Sequence, residues 1–310
     1  MKATRDALGD QLVDSGKDNL NLIVLSADLG KATRISKFGD TYPDRFFEIG
    51  IAENNMIGIA SGLSEYGYKV FLASFASFLT GKYDTIRCSL AYSNAPCVLV
   101  GTHSGLAIGR DGVTQMGLED LSLMRSLPNM KVLNPATYNE CKSVVRYLCE
   151  NDLDSPHYLR IGRQPIEELF PSDYEFIYAK GCTIKEGSDI VIFSTGCVLP
   201  DVVEAANNLE SKGVSATVVN MTTIKPIDKD IIIKYALTAK KVFTVEDHSI
   251  IGGLGSAVAE IMSESGASSP LCRIGLNDTF PESGLPSDLY EKYGLSANQI
   301  TKKVLNELDR

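Results

Sequence analysis

The sequence predicts an α/β protein made of two doubly wound units with mostly parallel sheets. Three observations carry this expectation. Short apolar runs alternate with stretches of helical period from residue 3 to residue 162. The rhythm breaks over 163–188, where the acid- and turn-rich stretch QPIEELFPSDYEFIYAKG stands. It then resumes from 189 to 265. Strands that alternate with helices at this spacing imply a parallel sheet with helices on both faces. The expected units are residues 1–165 and 181–310, joined by a linker over 166–180.

The elements follow in order. Residues 3–15 read as a helix that turns Ala7, Leu8, Leu12 and Val13 inward. LIVLSAD (22–28) reads as a buried strand and FFEIG (46–50) as a strand end. ENNMIGIASGLSEY (53–66) reads as a helix with Met56, Ile57, Ala60 and Leu63 on one face. YKVFLAS (68–74) is a strand, FLTGKYDTIRCSLAY (78–92) a helix and APCVLVGT (95–102) a strand. GLEDLSLMRSLP (117–128), KVLNPA (131–136), TYNECKSVVRYLCE (137–150) and PHYLRIG (156–162) complete the first unit. In the second, strands are expected at 189–196, 215–221 and 241–247. Helices are expected at 199–213, 228–239 and 253–265, the first with Pro200 near its start and Gly213 at its stop.

Composition narrows the function. The chain has 310 residues, 44% hydrophobic and 22% charged, long enough to bury a core without staples. A net charge of −9 argues against nucleic acid or an anionic membrane surface as partner, though not against a small basic pocket. There are seven cysteines, an odd number, with no CxxC pair, and most sit in apolar runs. They read as reduced core residues of a cytoplasmic protein. The N-terminus has no apolar signal-peptide core, and no run approaches the roughly 18 apolar residues of a spanning helix. The three histidines, His103, His157 and His248, are far apart in sequence, a poor basis for a zinc site.

Ligands of open parallel sheets bind beyond the carboxyl ends of the strands. The residues expected there are Asp28, Glu53 after the turn GIAE, Phe75 and Phe78, His103 with the glycine-rich loop SGLAIGRDGVTQ (104–115), and Arg160 and Arg163. Each has a plainer reading. Glu53 could simply favour a helix N-terminus. Phe75 and Phe78 could be core residues at i and i+3. His103 could be bonded to backbone at a strand end, and Asp111 could be a turn residue of a DG pair. Asp28 and the arginines could be ordinary solvated surface residues.

Taken together, these stretches resemble the C-terminal portion of transketolase, a thiamine diphosphate enzyme. The matching segments are ATRDA (3–7), SADLG (26–30), RFFEIGIAENNMIGIASGL (45–63), FASFL (75–79), THSGLAIGRDGVTQMGLEDL (102–121), LPNMKVLNPA (127–136), YLRIGRQP (158–165), VEDHSIIGGLGSAVAE (245–260) and GLNDTFPESG (275–284). They occur in family order and cover essentially the whole chain. The resemblance implies a pyrimidine-binding domain followed by a transketolase C-terminal domain.

Residue by residue, it implies that Glu53 bonds N1′ of the cofactor's aminopyrimidine, work for which a partly desolvated carboxyl group is suited. Phe75 and Phe78 match the aromatics that pack on that ring, and Asp28 a residue bordering the cofactor pocket. His103 matches a histidine near the substrate carbonyl, and Asp111 an aspartate on a donor-sugar hydroxyl. Arg5 and Arg163 match arginines that grip the sugar phosphate.

The chain departs from the pattern at three places. Gln115 stands where the family carries a second substrate histidine; it can hydrogen-bond but not transfer protons. Gly81 stands where a third aromatic is often found. The family's phosphate-site serine has Thr33 as its nearest counterpart.

The sequence contains no GDG followed by asparagine, the signature that places Mg²⁺ on the cofactor's diphosphate, and no P-loop. The resemblance therefore implies a partner, an N-terminal transketolase subunit carrying GDG…N, in a heterotetramer with two copies of each chain. The implied activity is transfer of a two-carbon ketol unit between sugar phosphates. The same chemistry on a sulfonated or branched sugar, the beta subunit of a 2-oxo acid dehydrogenase, and a non-enzymatic interaction subunit remain as alternatives. The glycine-rich GGLGS (252–256) does not fit GxGxxG and reads as tight helix–sheet packing.

Overall fold

The computed structural model describes residues 1–309 and shows two mostly parallel sheets with helices packed on them. The strands are β1 (Leu22–Ser26), β2 (Phe46–Glu48), β3 (Lys69–Phe75), β4 (Val98–Thr102), β5 (Lys131–Leu133), β6 (His157–Arg160), β7 (Cys182–Lys185), β8 (Ile190–Thr195), β9 (Ala216–Asn220), β10 (Thr223–Lys225), β11 (Lys241–Ser249) and β12 (Leu271–Leu276). The first sheet runs β10-β5-β6-β4-β3-β1-β2, and the second β12-β11-β8-β9-β7. Only the edge strands β10 and β7 are antiparallel to their neighbours.

Central strands are buried along their whole length because helices cover both faces: every residue of β1 and β4 is covered. Helix Thr4–Ser15 buries Ala7, Leu8 and Leu12, and helix Glu53–Glu65 buries Met56, Ile57 and Ala60. Val13 and Leu63, expected inside, are half-buried.

The helix expected over 78–92 is not continuous. A short helix, Ala76–Thr80, ends at Gly81, and Tyr83–Ile86 runs on into a π-helical turn over Arg87–Tyr92. Cys97, Cys141 and Cys149 are buried as expected, but Cys88 on the π turn is exposed.

The two sheets are tied together. Strand β10 leaves the second half of the chain to pair with β5, Thr223 opposite Leu133. Beside it the carboxylate of Glu140 accepts hydrogen bonds from Ala136 N, Asn220 Nδ2 and Thr222 Oγ1. Among the described residues no helix is long and apolar enough to cross a membrane.

Candidate active site

The carboxyl ends of β1, β2, β3, β4 and β6 share one edge of the first sheet, because all five strands are parallel. Helix Thr4–Ser15 reaches the same edge. Its Arg5 N donates to Gly162 O, just past β6, and Thr4 Oγ1 accepts from Gly162 N at 2.8 Å.

Glu53 is the first residue of helix Glu53–Glu65 and is 8% exposed. The positive end of the helix dipole favours its carboxylate. The hydrogen bond it accepts is long, 3.4 Å from Ser74 Oγ at the end of β3. The turn before it is held by Glu48, which accepts from Asp28 N at 2.5 Å and from Gly50 N at 3.2 Å. Gly50 has φ +82°, a conformation that favours glycine. Glu48 escaped the sequence reading; its signal is its place two residues before that glycine.

His103 leaves β4 with φ +56° and is 2% exposed. Its ring stacks on Phe75, centroids 3.8 Å apart, and Phe75 stacks in turn on Phe78 at 5.2 Å. Phe75 is almost covered and Phe78 half-buried. Burial, then the nearby Arg5 and Arg163, push the His103 pKa down to about 3. The imidazole is therefore neutral near pH 7.

Its neighbours assign the tautomer. Thr102 Oγ1 donates its one proton to Ser74 O at 3.3 Å and lies 2.9 Å from His103 Nδ1. Nδ1 must then carry the hydrogen. Nε2 keeps a lone pair, which faces Arg5 Nη1 at 3.3 Å, and a guanidinium can only donate.

The cationic side of the site has three arginines. Arg5 also donates to Ala32 O at 2.8 Å, while its Nε is buried without a hydrogen bond. Burial lowers its pKa first, then Arg34 and Arg163 by charge repulsion, partly offset by Asp6. Arg34, absent from the sequence reading, faces Asp6 at 2.9 Å as an ion pair without aligned hydrogen-bond geometry. Arg163 Nη1 meets Asp111 Oδ2 at 2.5 Å.

The edge thus brings Arg5 against His103, His103 against Phe75 and Phe78, Asp111 against Arg163, and Ser74 against Glu53. Gln115 reaches this group through its carbonyl, which accepts from Ser77 Oγ at 3.1 Å. Asp28 is exposed, with φ +59° at the exit of β1. Thr33 does not face the site. It is fully buried, and its hydroxyl donates to Leu29 O at 2.8 Å within its own helical turn. Among the described residues no cluster of three or more His, Cys, Asp or Glu side chains is placed to hold a metal ion.

A buried carboxyl group with one long hydrogen bond, beside an aromatic stack at a parallel-sheet edge, fits a flat heteroaromatic ring that needs one polar anchor. The unpartnered Nε of Arg5 fits an anion next to it.

The chain belongs to the transketolase family. The transketolase pyrimidine-binding domain matches residues 1–167, and the transketolase C-terminal domain matches residues 179–300. A protein of Methanocaldococcus jannaschii described as a transketolase C-terminal section is 40% identical over 100% of this chain and 97% of its own length. A 6-deoxy-6-sulfo-D-fructose transketolase subunit of Clostridium sp. (strain MSTE9) is 34% identical, covering 99% and 94%. The match to a 1-deoxy-D-xylulose-5-phosphate synthase of Caldanaerobacter subterraneus is 32% identical and spans 97% of this chain but 48% of that protein. Among solved structures, one titled as a split-gene transketolase, inactive beta4 tetramer, superposes with a TM-score of 0.91 at 41% identity, covering 99% of this chain and 98% of that one. The transketolase of Campylobacter jejuni has the same fold, with a TM-score of 0.81 at 24% identity.

Proposed function

We propose that this chain is the subunit of a two-chain, thiamine diphosphate-dependent transketolase that holds the cofactor's aminopyrimidine ring and directs a two-carbon ketol unit between sugar phosphates. The observation that carries this reading is the cluster in which His103 meets both Arg5 and Phe75, with buried Glu53 bonded to Ser74, the residue before Phe75. When bound, the cofactor supplies the nucleophilic thiazolium carbon that ketol transfer needs. Glu53 would hold the aminopyrimidine by a hydrogen bond to a ring nitrogen, which its burial would strengthen. Phe78 and Phe75 give the ring an apolar wall and exclude water from it.

His103, neutral and held by Thr102, offers its Nε2 lone pair to a substrate hydroxyl. Arg5 and Arg163 fork the substrate phosphate, with Arg34 adding positive charge behind them. A phosphate at Arg163 competes with Asp111, which is then free to accept from a sugar hydroxyl. It also offsets the arginine charge near His103, so the imidazole becomes a better base as substrate arrives.

In this reading an N-terminal subunit with the GDG…N signature holds the diphosphate and Mg²⁺, in a cytoplasmic heterotetramer. The support is one of length. The chain spans nearly all of the relatives that are described as a C-terminal section or as one subunit, and about half of the one-chain synthase. Gln115 favours a second reading, a modified sugar as donor. The similarity to a transketolase subunit of Phocaeicola vulgatus described as acting on apulose 4-phosphate, 31% identical over 98% of this chain and 97% of its own, points the same way.

Reconstitution tests both readings. The chain is mixed with the diphosphate-domain subunit, thiamine diphosphate and Mg²⁺, and transfer from xylulose 5-phosphate to ribose 5-phosphate is followed. Activity in the mixture alone is expected. A complex that binds cofactor yet turns over no sugar phosphate overturns the first reading. Turnover of a sulfonated or branched sugar then establishes the second.

A further inference from the structure

The loop over 103–117 carries His103, Asp111 and Gln115, and both halves of the chain anchor it: from the first, Ile161 O accepts from Ser104 N and Oγ, and Gln164 Nε2 donates to Ala107 O. Its backbone is unusual at both ends of its first turn: His103, Gly105 and Gly109 all have positive φ, at +56°, +75° and +74°. Gly112, at +82°, makes a fourth, and a loop with four such residues needs external contacts to hold one conformation.

Some of those contacts come from the second half of the chain. Asp247, in β11, is 4% exposed. Its Oδ1 accepts from Leu106 N at 2.9 Å, where the short 3₁₀ helix Leu106–Asp111 begins. Its Oδ2 accepts from Tyr290 Oη at 2.8 Å. The carboxylate is pressed so close to the loop that a Cβ at Gly105 would lie 2.1 Å from Oδ2. Arg160 locks the far end. Its Nη2 donates both to Gly117 O at 3.1 Å and to Asp247 O at 2.9 Å, and its Nε is paired with buried Asp120. Next to Asp111, Ser283 Oγ donates to Arg110 O at 2.5 Å, and Pro286 lies against Gly109. A cavity of about 320 Å³, lined in part by Ala107, Cys197, Asp201 and Tyr290, lies behind the loop. Elsewhere Leu106 and Ile108 are buried in one core cluster with Leu276 and Leu289, so packing and these hydrogen bonds hold the loop together.

We propose that Asp247, braced by Tyr290 and Arg160, is a positioning residue for ketol transfer, and that the second half of the chain serves the site by fixing the substrate loop. Asp247 touches neither cofactor nor sugar. It acts through Leu106 and Gly105 on the placement of His103 and Asp111. The catalytic part of this inference rests on the transketolase reading above; the structural part does not.

The test uses three full-length variants, Asp247→Asn, Tyr290→Phe and Asp247→Ala, each alone and reconstituted with its partner subunit. Asparagine can accept from Leu106 N with its carbonyl and donate to Tyr290 with its amide, so it preserves the brace without the charge. Expected donor kcat/KM losses are within about threefold for Asp247→Asn, about tenfold for Tyr290→Phe and about a hundredfold for Asp247→Ala, since a misplaced reacting group costs that much without contact to the substrate. The losses should fall on donor KM and kcat, with thiamine diphosphate affinity unchanged. Amide exchange over 104–112 in the isolated chain should quicken in the same order, with protection in β3 and β4 retained. Unchanged loop exchange in Asp247→Ala overturns the proposal. So does exchange that rises across both sheets together with a lost cofactor affinity, which would mark a general structural role. If the wild-type complex transfers no ketol unit, the transketolase reading fails, while the exchange measurement still decides whether Asp247 holds the loop.

Discussion

The two sheets have the same winding and put their carboxyl ends to opposite uses. At the first sheet's edge the polar side chains are incompletely satisfied: Glu53 has one long hydrogen bond, Arg5 has an unpartnered Nε, and Asp111 and Arg163 are open to solvent. At the second sheet's edge they are buried and mostly matched, with Asn220 Oδ1 and His248 Nε2 as exceptions. Thr195 donates to Asn134 O and Met221 O, Asn220 to Glu140, and Asp247 accepts from Leu106 and Tyr290. Glu246 accepts from Leu254 N and Gly255 N, filling the helix N-terminus that a phosphate would otherwise take. A Cβ at Gly253 would lie 1.9 Å from Glu246 Oε2, so GGLGS is close packing and leaves no room for a nucleotide. The same edge of the same architecture is a site in one case and a joint in the other. Fold and topology do not decide which.

This contrast can be broken most forcefully at Glu53. Glu53→Ala in the reconstituted complex should lower kcat about 10³-fold, the scale of a lost proton-handling group, with little change in thermal stability. Wild-type turnover in that variant would move Glu53 into the structural class. Next in size, Arg5→Gln should lower kcat/KM for phosphorylated donors about a hundredfold, and much less for an unphosphorylated analogue. The same substitution removes a positive neighbour of His103, so the imidazole pKa should rise from about 3 while staying below 6.5, because burial is the larger cause. Histidine NMR titration reads this directly, and a pKa that falls or stays put contradicts the assigned cause.

On the joint side the effects should appear in stability instead. Glu140→Gln and Glu246→Gln each leave a buried donor without its acceptor, and each should cost about 1–3 kcal/mol in denaturant unfolding with catalysis per folded molecule unchanged. The pH dependences oppose one another. Burial raises Glu140 and Glu246 from 4.5 to about 7, so folding retains their protons and their contribution falls as pH rises from 4.5 through about 7. His103 is lowered, so its contribution is lost as pH falls from 6.5 toward about 3. Stability measured against pH should flatten between 4.5 and 7 in a Glu140→Gln, Glu246→Gln double variant. A profile identical to wild type would show that these carboxyls titrate normally.

The central strands were legible because burial on both faces leaves an unbroken apolar run, as in VFLAS and VLVGT. The antiparallel edges were not. β7 (CTIK) and β10 (TIK) are too short and too polar to announce themselves, and their role comes from a neighbour distant in sequence. The helix over 78–92 had the right period, yet Gly81 and the π turn divide it. At the site, residue types at strand ends supplied most of the candidates, and the transketolase resemblance supplied their roles. Arg34 was invisible because it reaches Arg5 only through the fold. The neutrality of His103 was equally hidden, since it depends on burial and on two arginines nearly a hundred and sixty positions apart. Thr33 was misplaced because spacing places it along a helical turn without fixing the direction it faces.

Strand β10 has a consequence for modularity. A sheet whose last strand is lent by the neighbouring unit cannot be inherited, duplicated or swapped without that neighbour. Any cut between 166 and 222 strips Thr223–Lys225 from β5 and leaves Glu140 facing donors on a separate molecule. The exposed edge of β5 would then be a place for chains to stick to one another. Recombination and gene fission can therefore separate whole chains of this kind from their partners, but not the two halves of this one from each other.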